Sequence, residues 1–171
     1  MEEKKSKAQE AFEKGQQVEM QFGGCAQCVL HALIDCGFPI SKDVFRSASG
    51  LAAGVGRQGE TCGAVTGAIL ALSALNGREF DRFGETEARD KTFRMCYKFV
   101  DKFRAEYGSI QCRDIQKEKY GRRYEMYDPV EFQAFLAAGG HDADGCPAIV
   151  GNAARWAVEV LEEDEAAPQE E

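Results

Sequence analysis

The chain has 171 residues, 44% hydrophobic and 29% charged, with a formal net charge of −8. That size predicts one domain burying about two-thirds of its unfolded surface. The charge is local, because residues 159–171 (EVLEEDEAAPQEE) hold seven acids and no base, and no basic face dominates the rest, which excludes nucleic acid as an expected partner. No apolar run approaches the roughly 20 residues of a membrane span. The first residues, MEEKKSKAQEAFEKG, lack the apolar core of a signal peptide. A cytoplasmic location is therefore expected.

In chain order, residues 1–21 read as a charged amphipathic helix with Ala8, Phe12 and Met20 turned inward, broken by Gly23 and Gly24. CAQCVLHALIDCG, 25–37, is a compact apolar helix closed by Gly37 and Pro39. A helix capped by Ser41 is expected over 41–54, and another over 61–75, stopped by Asn76 and Gly77. Over 85–107, Phe93, Cys96 or Tyr97, Val100, Phe103 and Tyr107 recur at helical spacing, with Gly108 as the stop. A polar, tyrosine-rich segment, 116–127, leads to Asp128-Pro129-Val130-Glu131, a strong helix start. The last helix opens at Cys146-Pro147 and runs to about 163. No segment alternates as a strand does, so the expected fold is all-α, a compact bundle of roughly seven helices without repeats.

Gly54, Gly56 and Gly59 complete the letters G-x-G-x-x-G, with Glu79 and Asp81 beyond them. A dinucleotide-binding loop needs a buried strand feeding the first glycine, and here the feeder, VFRSASGLAA, is helical in character. The glycines instead serve a tight turn. Gly63, Gly67, Ala71 and Ala74 then form a stripe of small residues along a helix expected to be buried all round.

Seven cysteines without an export signal argue against a disulfide framework. Four of them, Cys25, Cys62, Cys112 and Cys146, fall where helices or turns begin. A helix N-terminus offers unpaired N–H donors and about half a positive charge, which favours thiolate. The same donors suit the sulfides of an iron–sulfur cluster. The other three differ: Cys28 lies one turn into its helix, Cys36 at a helix end and Cys96 in mid-helix.

The runs Cys25-Ala26-Gln27, GETCGAVTGA at 59–68, YGSIQCR at 107–113 and Cys146-Pro147 resemble the C-GCAxxG-C-C family of redox-active proteins. They are also similar to the cysteine-rich module of split-Soret cytochrome c. The likeness spans about residues 20–160, departing at Gly24, where the family usually carries a polar residue. It implies an all-helical fold in which Cys25, Cys62, Cys112 and Cys146 are the cofactor-binding and metal-ligating residues of an iron–sulfur cluster. No C-x-x-C-H haem attachment motif is present.

Two other chemistries fit the residues. Cys25-Ala26-Gln27-Cys28 is a C-x-x-C at a helix start, suited to thiol–disulfide exchange or redox sensing by Cys25 with Cys28 or Cys62, although the βαβ context of such motifs is missing. Zinc accepts four cysteines too, but structural zinc sites use paired short knuckles, and these cysteines are 37, 50 and 34 residues apart. His31 reads as a hydrogen-bonded core or edge residue and His141 as a loop residue. Arg57 and Arg113, close to candidate ligands, would offset cluster charge, whereas Tyr120, Tyr124 and Tyr127 read as packing residues of an irregular lid. The expectation is a single redox domain, 1–163, with a disordered acidic tail, 164–171. It transfers electrons to a redox partner protein, and fold-level analogy allows a homodimer.

Overall fold

The computed structural model describes residues 5–166. Among them are eight α-helices and two short 3-10 turns, with no strand beyond one isolated antiparallel bridge between Thr61 and Gln111. The fold is all-α, and one helix more than expected. None of these helices is long and apolar enough to cross a membrane.

Helix α1 (Lys7–Phe22) begins where the Ser6 hydroxyl accepts the Gln9 N–H, so residues 5 and 6 lie outside the helix expected from residue 1; residues 1–4 are outside the described range. Its inward face is Ala8, Ala11, Gly15 and Glu19, and Met20 is 44% exposed rather than buried. Helix α2 (Cys25–Asp35) buries Ala26, Cys28, Val29, Leu30, Ala32 and Leu33. Helix α3 (Lys42–Ser47) is shorter than the expected 41–54 span; a 3-10 turn, Ala48–Leu51, follows, and then the chain turns left-handed.

Helix α4 (Gly63–Asn76) carries the expected small-residue face through Gly63, Gly67 and Ala71, but Ala74 is exposed, so one edge meets solvent. A Cβ at Gly67 would overlap the Ala26 carbonyl oxygen, so only glycine lets α4 lie this close to α2. Helix α5 (Glu87–Tyr107) turns Thr92, Met95, Phe99 and Phe103 inward; Phe93, expected to pack, is 64% exposed, and of the alternatives Cys96 and Tyr97 it is Cys96 that packs on the core, Tyr97 being 69% exposed.

Helix α6 (Cys112–Tyr120) replaces the expected short turn and polar segment. Helix α7 (Pro129–Ala137) starts as its sequence demands, with the Asp128 carboxylate accepting the Val130 and Glu131 N–H groups at 2.8 and 3.0 Å. Helix α8 (Cys146–Ala166) continues into the segment read as a tail, where Asp164 pairs with Lys91 at 2.8 Å; residues 167–171 lie outside the described range.

Helices α2, α4 and α8 form the centre, with α1 along α8 and α5 across α4 and α8. Phe99, Phe103, Leu30, Leu33 and Leu72 are fully buried there. Each such side chain stabilises the fold by roughly 1.5–3 kcal/mol. Helix α1 approaches α8 closely because a Cβ at Gly151 would meet the Phe12 carbonyl oxygen at 2.8 Å. A smaller cluster of Tyr124, Met126 and Phe135 sits against Cys146 and roofs one end of the bundle.

Candidate functional site

The structure brings Cys25, Cys62, Cys112 and Cys146 to the wall of one cavity of about 190 Å³. Each stands at a helix N-terminus: Cys25, Cys112 and Cys146 are the first residues of α2, α6 and α8, and Cys62 caps α4. Local hydrogen bonds dictate this. The Cys62 N–H donates to the Ile110 carbonyl at 2.8 Å and the Cys112 N–H to the Glu60 carbonyl at 2.7 Å, which laces two distant segments together around the Thr61–Gln111 bridge. Cys146 is anchored from its own N–H to the Gly140 carbonyl at 2.9 Å. Gly63 leaves room for Cys25, because a Cβ there would overlap Cys25 Sγ.

All seven cysteines are free thiols. Cys62 is buried, and Cys25, Cys112 and Cys146 are partly exposed. Helix N-termini were expected to lower the thiol pKa values, but burial dominates and holds all four up. Cys62 and Cys112 are pushed to about 12, first by burial and then by a neighbouring thiol, Cys112 in one case and Cys25 in the other. Cys25 and Cys146 are driven up in the same way, with Glu19 adding to both.

The helix-end donors act in the expected direction without winning. N–H groups of Ala26 and Ala53 favour the Cys25 thiolate. Those of Ala64 and Val65 favour the Cys62 thiolate, although neither reaches hydrogen-bonding geometry with Sγ. Gln116 donates Nε2–H to Cys112 Sγ at 3.6 Å, while its Oε1 accepts the Tyr124 N–H at 3.0 Å.

The segment that supplies the Ala53 N–H is strained. Ala53, Gly54, Val55, Gly56 and Arg57 all have positive φ, between 51° and 74°, which makes a left-handed turn. Left-handed backbone costs about 1–2 kcal/mol per non-glycine residue, and Val55 is β-branched. Such strain persists where surrounding structure enforces it, and here it brings Ala53 and Arg57 to the cavity. Arg57 stacks its guanidinium 5.0 Å from the Phe132 ring centre and donates to the Met126 carbonyl at 3.4 Å. Arg113, the other flagged arginine, pairs with Glu60 at 2.6 Å.

The remaining candidates separate. Cys28 is buried and does not line the cavity; its thiol donates to the Gly23 carbonyl at 3.1 Å. Neither Cys36 nor Cys96 lines it. His31 pairs with Asp35 at 3.1 Å, an edge residue as expected. Tyr127, expected to pack, is 78% exposed, whereas Tyr120 and Tyr124 pack on Phe135.

Two cavity residues, Glu19 and Gln116, were missed, and a third, His141, was read as a loop residue. Glu19 is 2% exposed, and its Oε2 has no hydrogen-bond partner. His141 Nε2 lies 3.8 Å from Glu19 Oε1, and burial lowers its pKa, so it is no standing cation. Gln116 is buried beside Cys112. The signal for Glu19 was its spacing, since Ala8, Ala11, Gly15 and Glu19 follow helical periodicity.

Among the described residues, no group of three or more His, Cys, Asp or Glu side chains is gathered closely enough to hold a single metal ion. Cys25, Cys62, Cys112 and Cys146 line the cavity wall. All-thiol donors, backbone N–H groups and an enclosure with apolar walls match what a multi-atom iron–sulfur group requires.

Fold and site define a helical bundle whose helix N-termini present four cysteines to one cavity. The family model described as "Putative redox-active protein (C_GCAxxG_C_C)" matches residues 24–160. The chain belongs to this family of redox-active proteins. No curated protein and no solved structure is significantly similar to it.

Proposed function

We propose that this protein is a one-electron carrier whose Cys25, Cys62, Cys112 and Cys146 hold an iron–sulfur cluster. The observation that carries the reading is that these four thiols, from four separate helix ends, line one cavity. A cluster bound there would supply reversible one-electron chemistry. The protein's own part is to hold four sulfurs in place, to aim the Ala26, Ala53, Ala64 and Val65 N–H groups at them and to shield them from water. The Arg57 guanidinium at the cavity wall offsets negative charge. The electron comes from, or passes to, a redox partner protein.

The thiol–disulfide reading has less support. Its resolving thiol, Cys28, is buried and does not line the cavity that Cys25 and Cys62 share. That thiol is bonded to Gly23. Zinc would require all four sulfurs drawn to about 2.3 Å from one point.

Anaerobic purification followed by iron, sulfide and zinc analysis and EPR of the reduced protein tests the proposal. Stoichiometric iron and sulfide are expected, lost in Cys62→Ser and kept in Cys96→Ser. A Cys62→Ser protein with full iron content would overturn the assignment. Zinc without iron, or a metal-free protein with a titratable disulfide, would replace it.

A further inference from the structure

Gln116 is 2% exposed, and both ends of its amide are bonded inside the fold. It stands one turn beyond Cys112 on α6, so the two side chains share a face of that helix. Gly121, at φ 78°, ends α6 and turns the chain back, which brings the buried Tyr124 alongside. The Tyr124 N–H, outside any helix, donates to Gln116 Oε1 at 3.0 Å. A backbone N–H can only donate, so the amide oxygen is fixed on Tyr124 and the nitrogen faces Cys112 Sγ, at 3.6 Å. That separation suits an N–H bonded to sulfur, whose radius exceeds that of oxygen.

We propose that Gln116 is a positioning residue of the redox site: clamped by Tyr124, it holds the Cys112 sulfur in place and stabilises, through its Nε2–H, the electron delivered to the four-cysteine centre. This rests on the reading of the cavity as a one-electron centre held by those cysteines. The electron comes from a one-electron donor protein, or from dithionite in vitro, and Gln116 neither gains nor loses a proton.

Geometry and chemistry favour this role. Satisfying the Tyr124 N–H accounts for an acceptor at this position, but not for a donor aimed at a cavity sulfur. Added electron density spreads onto the sulfurs, and an N–H pointing at one of them favours the reduced form. The amide is shut off from water, so its dipole is little screened. It does not titrate, so it acts alike at every pH. Backbone N–H groups favour Cys25 and Cys62, whereas the donor at Cys112 is a side chain, which a substitution removes without moving the main chain.

The test is the midpoint potential of the iron- and sulfide-loaded protein in wild type and in Gln116→Met, which keeps the side-chain length and has no N–H. At unchanged iron and sulfide content the potential is expected to fall by about 59 mV, a tenfold change in the one-electron equilibrium constant and about the net effect of one hydrogen bond. A lower urea midpoint with the wild-type potential would mean a structural role alone, and overturns the proposal while leaving the cluster standing. A wild type that takes up no iron and sulfide overturns both. Nitrogen-15 NMR of the metal-free protein gives a second readout. The Gln116 side-chain N–H groups are expected to exchange with solvent more slowly than those of the exposed Gln17, and to shift in Cys112→Ser. If Gln116→Met does not fold, this measurement decides the matter. Resonances that shift support the proposal, and resonances that ignore the replacement of Cys112 overturn it.

Discussion

Gly63 and Cys25 are locked together across two helices: the space a Cβ would need at Gly63 is occupied by Cys25 Sγ. The same position faces the Leu51 carbonyl oxygen at 3.1 Å and the Ala26 nitrogen at 3.2 Å, so neither side can retreat. Gly63→Ala must therefore displace the thiol. Overpacking of this kind costs about 1–3 kcal/mol. The expected result is a lower urea midpoint of that size together with loss of iron uptake, whereas Ala74→Ser, on the exposed edge of α4, changes neither.

The metal-free protein should lose stability as pH rises. Burial moves the Glu19 carboxyl from 4.5 to about 7, so between these values the folded state holds a proton that the unfolded state has released. Stability from this group is full below 4.5, falls through the window and levels off above about 7. The total is about 3 kcal/mol. His141, held below its ordinary value by burial, acts oppositely and weakens the fold at acid pH. Urea denaturation from pH 5 to 8 should show the decline in the wild type and little of it in Glu19→Gln, which becomes the more stable of the two at pH 8.

Relieving the left-handed turn should stabilise the fold. Val55 is 43% exposed at φ 60°, so its side chain gives little packing in return for its strain. Glycine adopts that backbone freely but has about 0.5–1 kcal/mol more entropy to lose on folding. Val55→Gly should gain about 0.5–1 kcal/mol, read as a higher urea midpoint at unchanged slope. A lower midpoint would show that the turn is not strained at Val55.

Much of the site was legible because its signals are local. Cys25, after Gly24, and Cys146, between Gly145 and Pro147, are marked by their immediate neighbours, Cys62 by the glycine turn three residues before it and Cys112 only as the start of a turn; all four line the cavity. Helix α6 was not legible: CRDIQKEKY is too polar to announce a buried face, and it is set by Cys112 and Arg113 N–H bonds to Glu60 and Gly59, more than fifty residues earlier. The outward Phe93 shows the opposite error, since spacing alone could not say which stripe of α5 meets α4 and α8.

By itself, the sequence determined the helical class, most of the helix ends and which cysteines stand at helix or turn starts, because caps, glycine stops and apolar periodicity act within a few residues. Only the tertiary structure decided which groups share the cavity and how far they are shut off from water. Helix ends favour thiolate, but packing removes the water that would solvate it, and desolvation prevails at Cys25, Cys62, Cys112 and Cys146. The same burial put Glu19, one acid among many in a charged helix, on the wall of the cavity those thiols line, with its Oε2 unpartnered.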